Sequence, residues 1–287
     1  MWWPRREARV VQATPTSDGM LLVRETRAYR ELVEVARNTT VLTRVMRGDP
    51  LRSGFAYTDA LHVAVAFGPR RSMRALCIGA GGGIVPRQLA ARGIAVDVVE
   101  RSPEVLDLAA RHFGLTPGPL VSIQLAEARS FVRDTRAEYD AAIVDVAVTN
   151  EPSPLLLAPT FWRDLRRVLR DGSAVTINVM GALDGSVIAG ELARDAIARA
   201  MGTTLWLPML ADGERADVRA LRNFVGVVVG RATVSDDAPS FLPRLPAAIA
   251  EVARRLRGLA EARDHLRAPG DPELGVEPAE LVAHRAR

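Results

Sequence analysis

The hydrophobic rhythm of the chain changes at residue 57. Over residues 20–46 the apolar positions come in short β-branched runs, LLVRE, ELVEVA and TVLTRVM, ending at the turn signal Gly48-Asp49-Pro50. Runs of this kind between turn residues predict a small antiparallel β-hairpin region. From Tyr57 a helix-like stretch, YTDALHVAVAF, leads to a continuous apolar run, MRALCIGAG. Strand-like and helix-like segments then alternate: IAVDVVE, SPEVLDLAARHF, VSIQLAE, ARSFVRDT, YDAAIVDV, APTFWRDLRRVLRDG and SAVTINVM. That alternation implies βαβ units and a doubly wound parallel sheet of the α/β class, covered by helices on both faces.

A further helix, GSVIAGELARDAIARAM, precedes two strand candidates, TTLWLPML and NFVGVVVG. A closing pair of this kind is the layout of class I methyltransferase sheets rather than of dehydrogenases. After residue 231 the composition turns Pro-rich, with one amphipathic helix around LPAAIAEVARRLRGLAEARDHL and a polar tail. The expected organisation is therefore a hairpin region over 1–56, a Rossmann-like domain over 57–231, and a C-terminal helical tail over 232–287.

The chemistry points to the C-terminal ends of the strands. In CIGAGGGIVPRQL a strand runs into a glycine turn and then a helix, which lets a ligand approach bare backbone. Gly79, Gly81 and Gly83 fit G-x-G-x-G, whereas the third glycine of the dinucleotide motif is replaced by Ile84. This favours an adenosyl ligand without a pyrophosphate. Glu100 ends the next strand, about 20 residues on, where an acid can accept bonds from ribose hydroxyls. Glu127 ends the third strand, open to an adenine amino group or to the adjacent loop, and Asp145 ends the fourth. Three acids on successive strand ends face the crevice in which open α/β sheets bind ligands.

Composition narrows the classes. The 287 residues are 48% hydrophobic and carry a formal charge of +4, yet every one of the 38 basic residues is arginine. Lysine Schiff-base chemistry and a P-loop lysine are thereby excluded. The arginines are interspersed with acids, so no nucleic-acid partner is expected. No apolar run approaches the roughly 20 residues of a membrane span, and the single Cys77 allows no internal disulfide framework. A cytoplasmic location without membrane partners is the expectation. His62, His112, His265 and His284 show no metal-ligand spacing, and no metal is expected.

Taken in order, AYRELVEV, FAYTDAL, ALCIGAGGGIVPRQL, VVERSPEVLDLAARHF, AEARSFVR, YDAAIVDV and FWRDLRRVLRDGS resemble segments of the spermidine synthase (polyamine aminopropyltransferase) family, within the class I methyltransferase-like folds. The similarity runs over residues 21–230. It implies an S-adenosylmethionine-type ligand held by Gly79, Ala80, Gly81, Gly82, Gly83, Glu100, Arg101, Glu127, Ala128 and Asp145. It also implies Asp145 and Tyr57 as catalytic groups, an acceptor touched by Tyr57, Val148, Asn150 and Glu151, and a homodimer.

The departures bear on the reaction. The family's glycine loop carries an aspartate where this chain has Gly82, and its second aspartate after the fourth strand matches Val148. Its Tyr-Gln becomes Tyr29-Arg30, and its Tyr-His-Glu becomes Tyr57-Thr58-Asp59. A diamine is a dication, so loss of two carboxylates weakens its recognition. An aspartate at 82 would repel the carboxylate of intact S-adenosylmethionine by roughly 1–4 kcal/mol at about 4 Å. Gly82 removes that repulsion, and Arg30 would pair with the same carboxylate if it reaches the pocket. The leading expectation is accordingly methyl transfer from intact S-adenosylmethionine to a small-molecule acceptor, with aminocarboxypropyl transfer or cyclisation chemically open. The alternatives are aminopropyl transfer from decarboxylated S-adenosylmethionine, and a catalytically silent scaffold member of the family.

Overall fold

The N-terminal alternation folds as a five-stranded antiparallel sheet in the computed structural model, which describes residues 8–68, 73–146, 153–209, 217–229 and 241–267. Its strands β1 (Arg9–Pro15), β2 (Met20–Glu25), β3 (Tyr29–Val35), β4 (Thr39–Met46) and β5 (Asp49–Ser53) lie in chain order. Leu21, Val23, Leu32 and Val45 bury one face of this sheet in a core shared with the rest of the molecule. The sheet is larger than a hairpin region because β1 belongs to it. That strand lies at the sheet's edge with most of its side chains exposed, so it carries no alternating apolar signal. Asp49 and Pro50, read as a turn, open β5 at the other edge, where proline's missing N–H costs the ladder nothing.

Helix α1 (Ala56–Leu61) and the single turn α2 (Val63–Ala66) lead into the second sheet. Its elements are β6 (Arg74–Ile78), α3 (Ile84–Ala91), β7 (Ala95–Glu100), α4 (Pro103–Leu108), β8 (Val121–Leu125), α5 (Ala128–Asp134), β9 (Tyr139–Val144), α6 (Pro159–Arg167), β10 (Leu169–Gly181), α7 (Ile188–Met201), β11 (Leu205–Pro208), β12 (Arg222–Val229) and α8 (Leu245–Arg267). A π-helical turn, Ala109–Phe113, continues α4. The strand order is β11-β12-β10-β9-β6-β7-β8. Strands β6 to β10 pair in parallel, and β12 inserts antiparallel between β10 and β11. This is the closing pair that the sequence predicts.

Strands with both faces covered read as unbroken apolar runs. Ala75 and Cys77 of β6 face one helical layer while Leu76 and Ile78 face the other, and Ala141 and Ile143 of β9 alternate in the same way with Ala142 and Val144. Helix α8 packs on this domain, burying Leu245 and Val252 completely, at roughly 1.5–3 kcal/mol each. Helix α6 stops at Arg167, five residues before the expected end at Gly172, because Leu169 already pairs with Tyr139 and starts β10.

The two edges of the parallel strands differ. At the N-terminal edge the charges are locked together: Asp97 accepts from Tyr139 Oη and Arg74 Nη2, both at 2.7 Å, and Asp140 accepts from the Arg74 amide at 2.7 Å and Arg170 Nη1 at 2.9 Å. At the C-terminal edge the chain leaves β6 for β7 on one side and reaches β9 on the other. That switch point is where an open α/β sheet leaves a crevice.

Candidate active site

The glycine loop fills the switch point between β6 and α3. Gly79, Gly81 and Gly83 have φ of 90°, 48° and 74°, the left-handed region that glycine adopts without cost. At Gly79 a Cβ would collide with the carbonyl of Asp145, because the Asp145 amide bonds back to Ile78 O at 2.9 Å and draws the two strand ends together. Four loop amides are already committed: Gly79 to Val99 O at 2.9 Å, Ala80 to Glu100 Oε2 at 3.0 Å, Gly82 to Thr43 Oγ1 at 2.6 Å and Gly83 to Ala80 O at 2.7 Å. A phosphate cradle needs such N–H groups free. This loop instead offers a smooth wall of fixed shape, suited to the neutral face of a nucleoside.

Glu100 braces the wall. Its Oε1 accepts the amides of Arg101 at 2.8 Å and Ser102 at 3.0 Å, while Oε2 holds Ala80. Glu127 is exposed at the N-cap of α5 and accepts the Arg129 amide at 3.1 Å.

Asp145, half-buried at the end of β9, is held from two sides. Tyr57 Oη, from α1, donates to Oδ2 at 3.3 Å, and Asn178 Nδ2, from β10, donates to Oδ1 at 2.8 Å. Burial raises the Asp145 carboxyl above the usual carboxylate range, against the opposing pull of the Asn178 and Tyr57 bonds. Burial, followed by the Asp145 charge and bond, likewise pushes the Tyr57 phenol well up, which keeps it a neutral donor. Cys77 lies on the same wall, where burial holds its thiol far above the ordinary range, so it is no thiolate nucleophile.

These groups line one cleft of about 780 Å³ between the N-terminal sheet and the C-terminal edge of the second sheet. Among the described residues, its charged lining comprises six acids, Asp18, Glu34, Glu100, Glu104, Glu127 and Asp145, and two arginines, Arg44 and Arg101. Arg44 is already bonded to Glu31 at 2.7 Å.

Of the residues expected from sequence, Gly79, Ala80, Gly81, Glu100, Arg101, Glu127, Ala128, Asp145 and Tyr57 all reach this cleft. Gly82 and Gly83 lie behind its wall, against Thr43 and Phe113 in one case and Leu115 in the other. Arg30 does not reach it: its Nε donates to Glu25 Oε1 at 2.8 Å and its Nη1 to the His112 carbonyl at 2.6 Å. Asp59 turns inward and accepts the Arg244 amide at 3.0 Å, anchoring the approach to α8. Val148, Asn150 and Glu151 lie outside the described residues. Sequence reasoning missed Thr43 and Asn178. The signal for Asn178 was present, since an amide inside the apolar strand SAVTINVM needs a buried partner.

No protein-family model matches the chain. Over 153 residues it is 30% identical to a polyamine aminopropyltransferase of Clostridium beijerinckii, covering 50% of this chain and 54% of the relative. Over 153 residues it is also 24% identical to a polyamine aminopropyltransferase of Sulfurisphaera tokodaii, covering 49% and 50%. The chain thus spans about half the length of the curated relatives it matches. Among solved structures, a probable spermidine synthase of Corynebacterium glutamicum superposes with a TM-score of 0.64 at 17% identity, over 84% of this chain and 87% of that one. The chain is spermidine synthase-like in sequence and fold. Human methyltransferase-like protein 13 in complex with SAH shares the fold more distantly, with a TM-score of 0.51 at 16% identity over 69% of this chain and 92% of that one. Among the described residues no helix is long and apolar enough to cross a membrane.

Proposed function

We propose that the chain transfers the 3-aminopropyl group of decarboxylated S-adenosylmethionine to an amine acceptor bound in the acidic cleft. The charge of the cleft wall carries this reading: among the described residues six carboxylates face two arginines, one of them already paired. A sulfonium donor is a cation, as is a diamine acceptor protonated at the amine remote from the reacting one, and such a wall favours both. Intact S-adenosylmethionine brings a carboxylate as well, and Arg30, expected to meet it, is bonded elsewhere. The polyamine aminopropyltransferase names of the relatives agree with this reading.

In this reading the adenosine lies along Gly79–Gly81, with ribose hydroxyls at Glu100 and the base towards Glu127 and Ala128. The neutral acceptor amine attacks the methylene carbon bonded to sulfur. The C–N bond forms as the C–S bond breaks, the electron pair leaves on sulfur, and methylthioadenosine departs. The proton released from the new ammonium passes to Asp145. The protein supplies proximity, and a base worth about 10²–10⁴ in rate. Burial of Asp145 raises its proton affinity towards that task.

One observation favours a second reading, methyl transfer from intact S-adenosylmethionine: position 82 carries no carboxylate. Supplying each donor with a diamine and identifying the nucleoside product separates the two. Methylthioadenosine from the decarboxylated donor supports aminopropyl transfer. S-adenosylhomocysteine from the intact donor replaces it with methyl transfer, and consumption of neither donor leaves a silent scaffold.

A further inference from the structure

Asp145 has a neighbour on the adjacent strand that neither sequence motif singled out. Ile177 of β10 pairs in register with Val144 of β9, so Asn178 comes level with Asp145. Asn178 is fully buried, on a strand whose neighbours Val175, Ile177 and Val179 are apolar. A buried amide on such a strand is costly unless its polar atoms are bonded. Only part of that requirement is met. Nδ2 donates to Asp145 Oδ1 at 2.8 Å, while the buried Oδ1 has no hydrogen-bond partner. An apolar residue of the same volume would fill the strand without the unpaired oxygen, so packing alone does not account for an amide here. What the amide provides is a donor to one oxygen of Asp145, opposite the Tyr57 hydroxyl on the other.

We infer that Asn178 is a positioning residue that acts through Asp145. Its amide fixes the carboxylate plane towards the cleft and favours the ionised form that accepts the acceptor's proton. The inference rests on the reading of Asp145 as the base. With Tyr57 it forms a two-point clamp, one donor for each carboxylate oxygen, which leaves the remaining lone pairs free for the incoming amine. Without Asn178 the half-buried carboxylate would keep one donor, could rotate about its Cβ–Cγ bond, and would hold its proton more readily.

Two measurements on the full chain test this. One follows the Asp145 carboxyl carbon by NMR as a function of pH, with Asp145→Asn supplying the assignment. The other is the pH profile of kcat and KM for the aminopropyl reaction. Asn178→Leu, which keeps the branched shape in a larger side chain and removes the donor, is expected to move the Asp145 titration to higher pH and lower kcat about 10–100-fold with little change in the donor KM. Asn178→Ser, which keeps a shorter donor, is expected to shift both in the same direction by less, and it carries the comparison if the leucine variant does not fold. A titration and an acidic limb that coincide with wild type in a folded variant would overturn the inference. The NMR titration needs no turnover, so a shifted titration in a protein that consumes neither donor sinks the transferase reading and leaves the clamp standing.

Discussion

Thr43 on β4 accepts the amide hydrogen of Gly82 across 2.6 Å, and its Cγ2 would stand only 2.7 Å from a Cβ at position 82. This contact fastens the N-terminal sheet to the glycine loop. It also supplies a reason for the glycine that is independent of the donor's charge: Thr43 and Phe113 occupy the space a side chain would need. The residue that argued from sequence for an intact donor is therefore accounted for by packing.

Gly82→Ala is accordingly expected to destabilise the protein by about 1–3 kcal/mol through overpacking. Thr43→Ser removes the Cγ2 contact but keeps the hydroxyl acceptor, so combining it with Gly82→Ala should recover most of that loss. Urea unfolding of the two single variants and the double variant gives the coupling energy. Strictly additive effects would show that the contact does not set the residue at 82.

Gly79→Ala meets a harder obstacle. Its φ of 90° disfavours any side chain, and the clashing atom is the Asp145 main-chain carbonyl, which no rotamer change can move. The expected cost exceeds about 2 kcal/mol, with loss of nucleoside binding as the end of β9 shifts. Calorimetric titration with either donor checks the binding, and wild-type affinity in this variant would contradict the assignment of the loop.

Asp145→Asn should separate stability from activity. Burial raises the Asp145 carboxyl above its unfolded value, so the ionised form is disfavoured in the fold. The contribution to stability is present below the unfolded pKa and is lost as pH rises through the folded one. At pH 7 the charge is a net cost that a neutral amide relieves. The variant is expected to melt higher than wild type at pH 7 and to lose turnover at least about 100-fold. A lower melting temperature at pH 7 would show that the charge is well solvated.

His62 predicts an acid limb of stability away from the site. It is fully buried, bonded through Nε2 to Gln88 Oε1 at 3.0 Å, and burial lowers its pKa from 6.5 to about 3. With the folded pKa depressed, the unfolded chain binds the proton first, so this contribution is complete above pH 6.5 and falls as pH drops towards about 3. The loss reaches roughly 4 kcal/mol at the low end. Denaturant midpoints between pH 3 and pH 7 should fall less steeply in His62→Gln than in wild type. Parallel curves would assign the acid limb to other groups.

The helix and strand texture of the second sheet was readable from the chain because burial on both faces imposes unbroken apolar runs, and burial beneath a helix imposes a period of 3.6. The closing strand pair was marked by TTLWLPML and NFVGVVVG, and the glycine loop and its three acids by their places at strand ends, whereas the strand order came from the structure. Those are local properties, carried by neighbouring residues. The rest depends on residues far apart in sequence. Edge strand β1 has almost no buried face to mark it. Thr43 meets Gly82 across 39 residues, and Asn178 meets Asp145 across 33. Arg30, placed near the ligand only by the family resemblance, is drawn to Glu25 and to the carbonyl of His112, 82 residues away. The sequence by itself determined which strand ends border the cleft. Only the tertiary structure decided which side chains face the cleft, because a polar group's partner is set by packing between elements and not by its position along the chain.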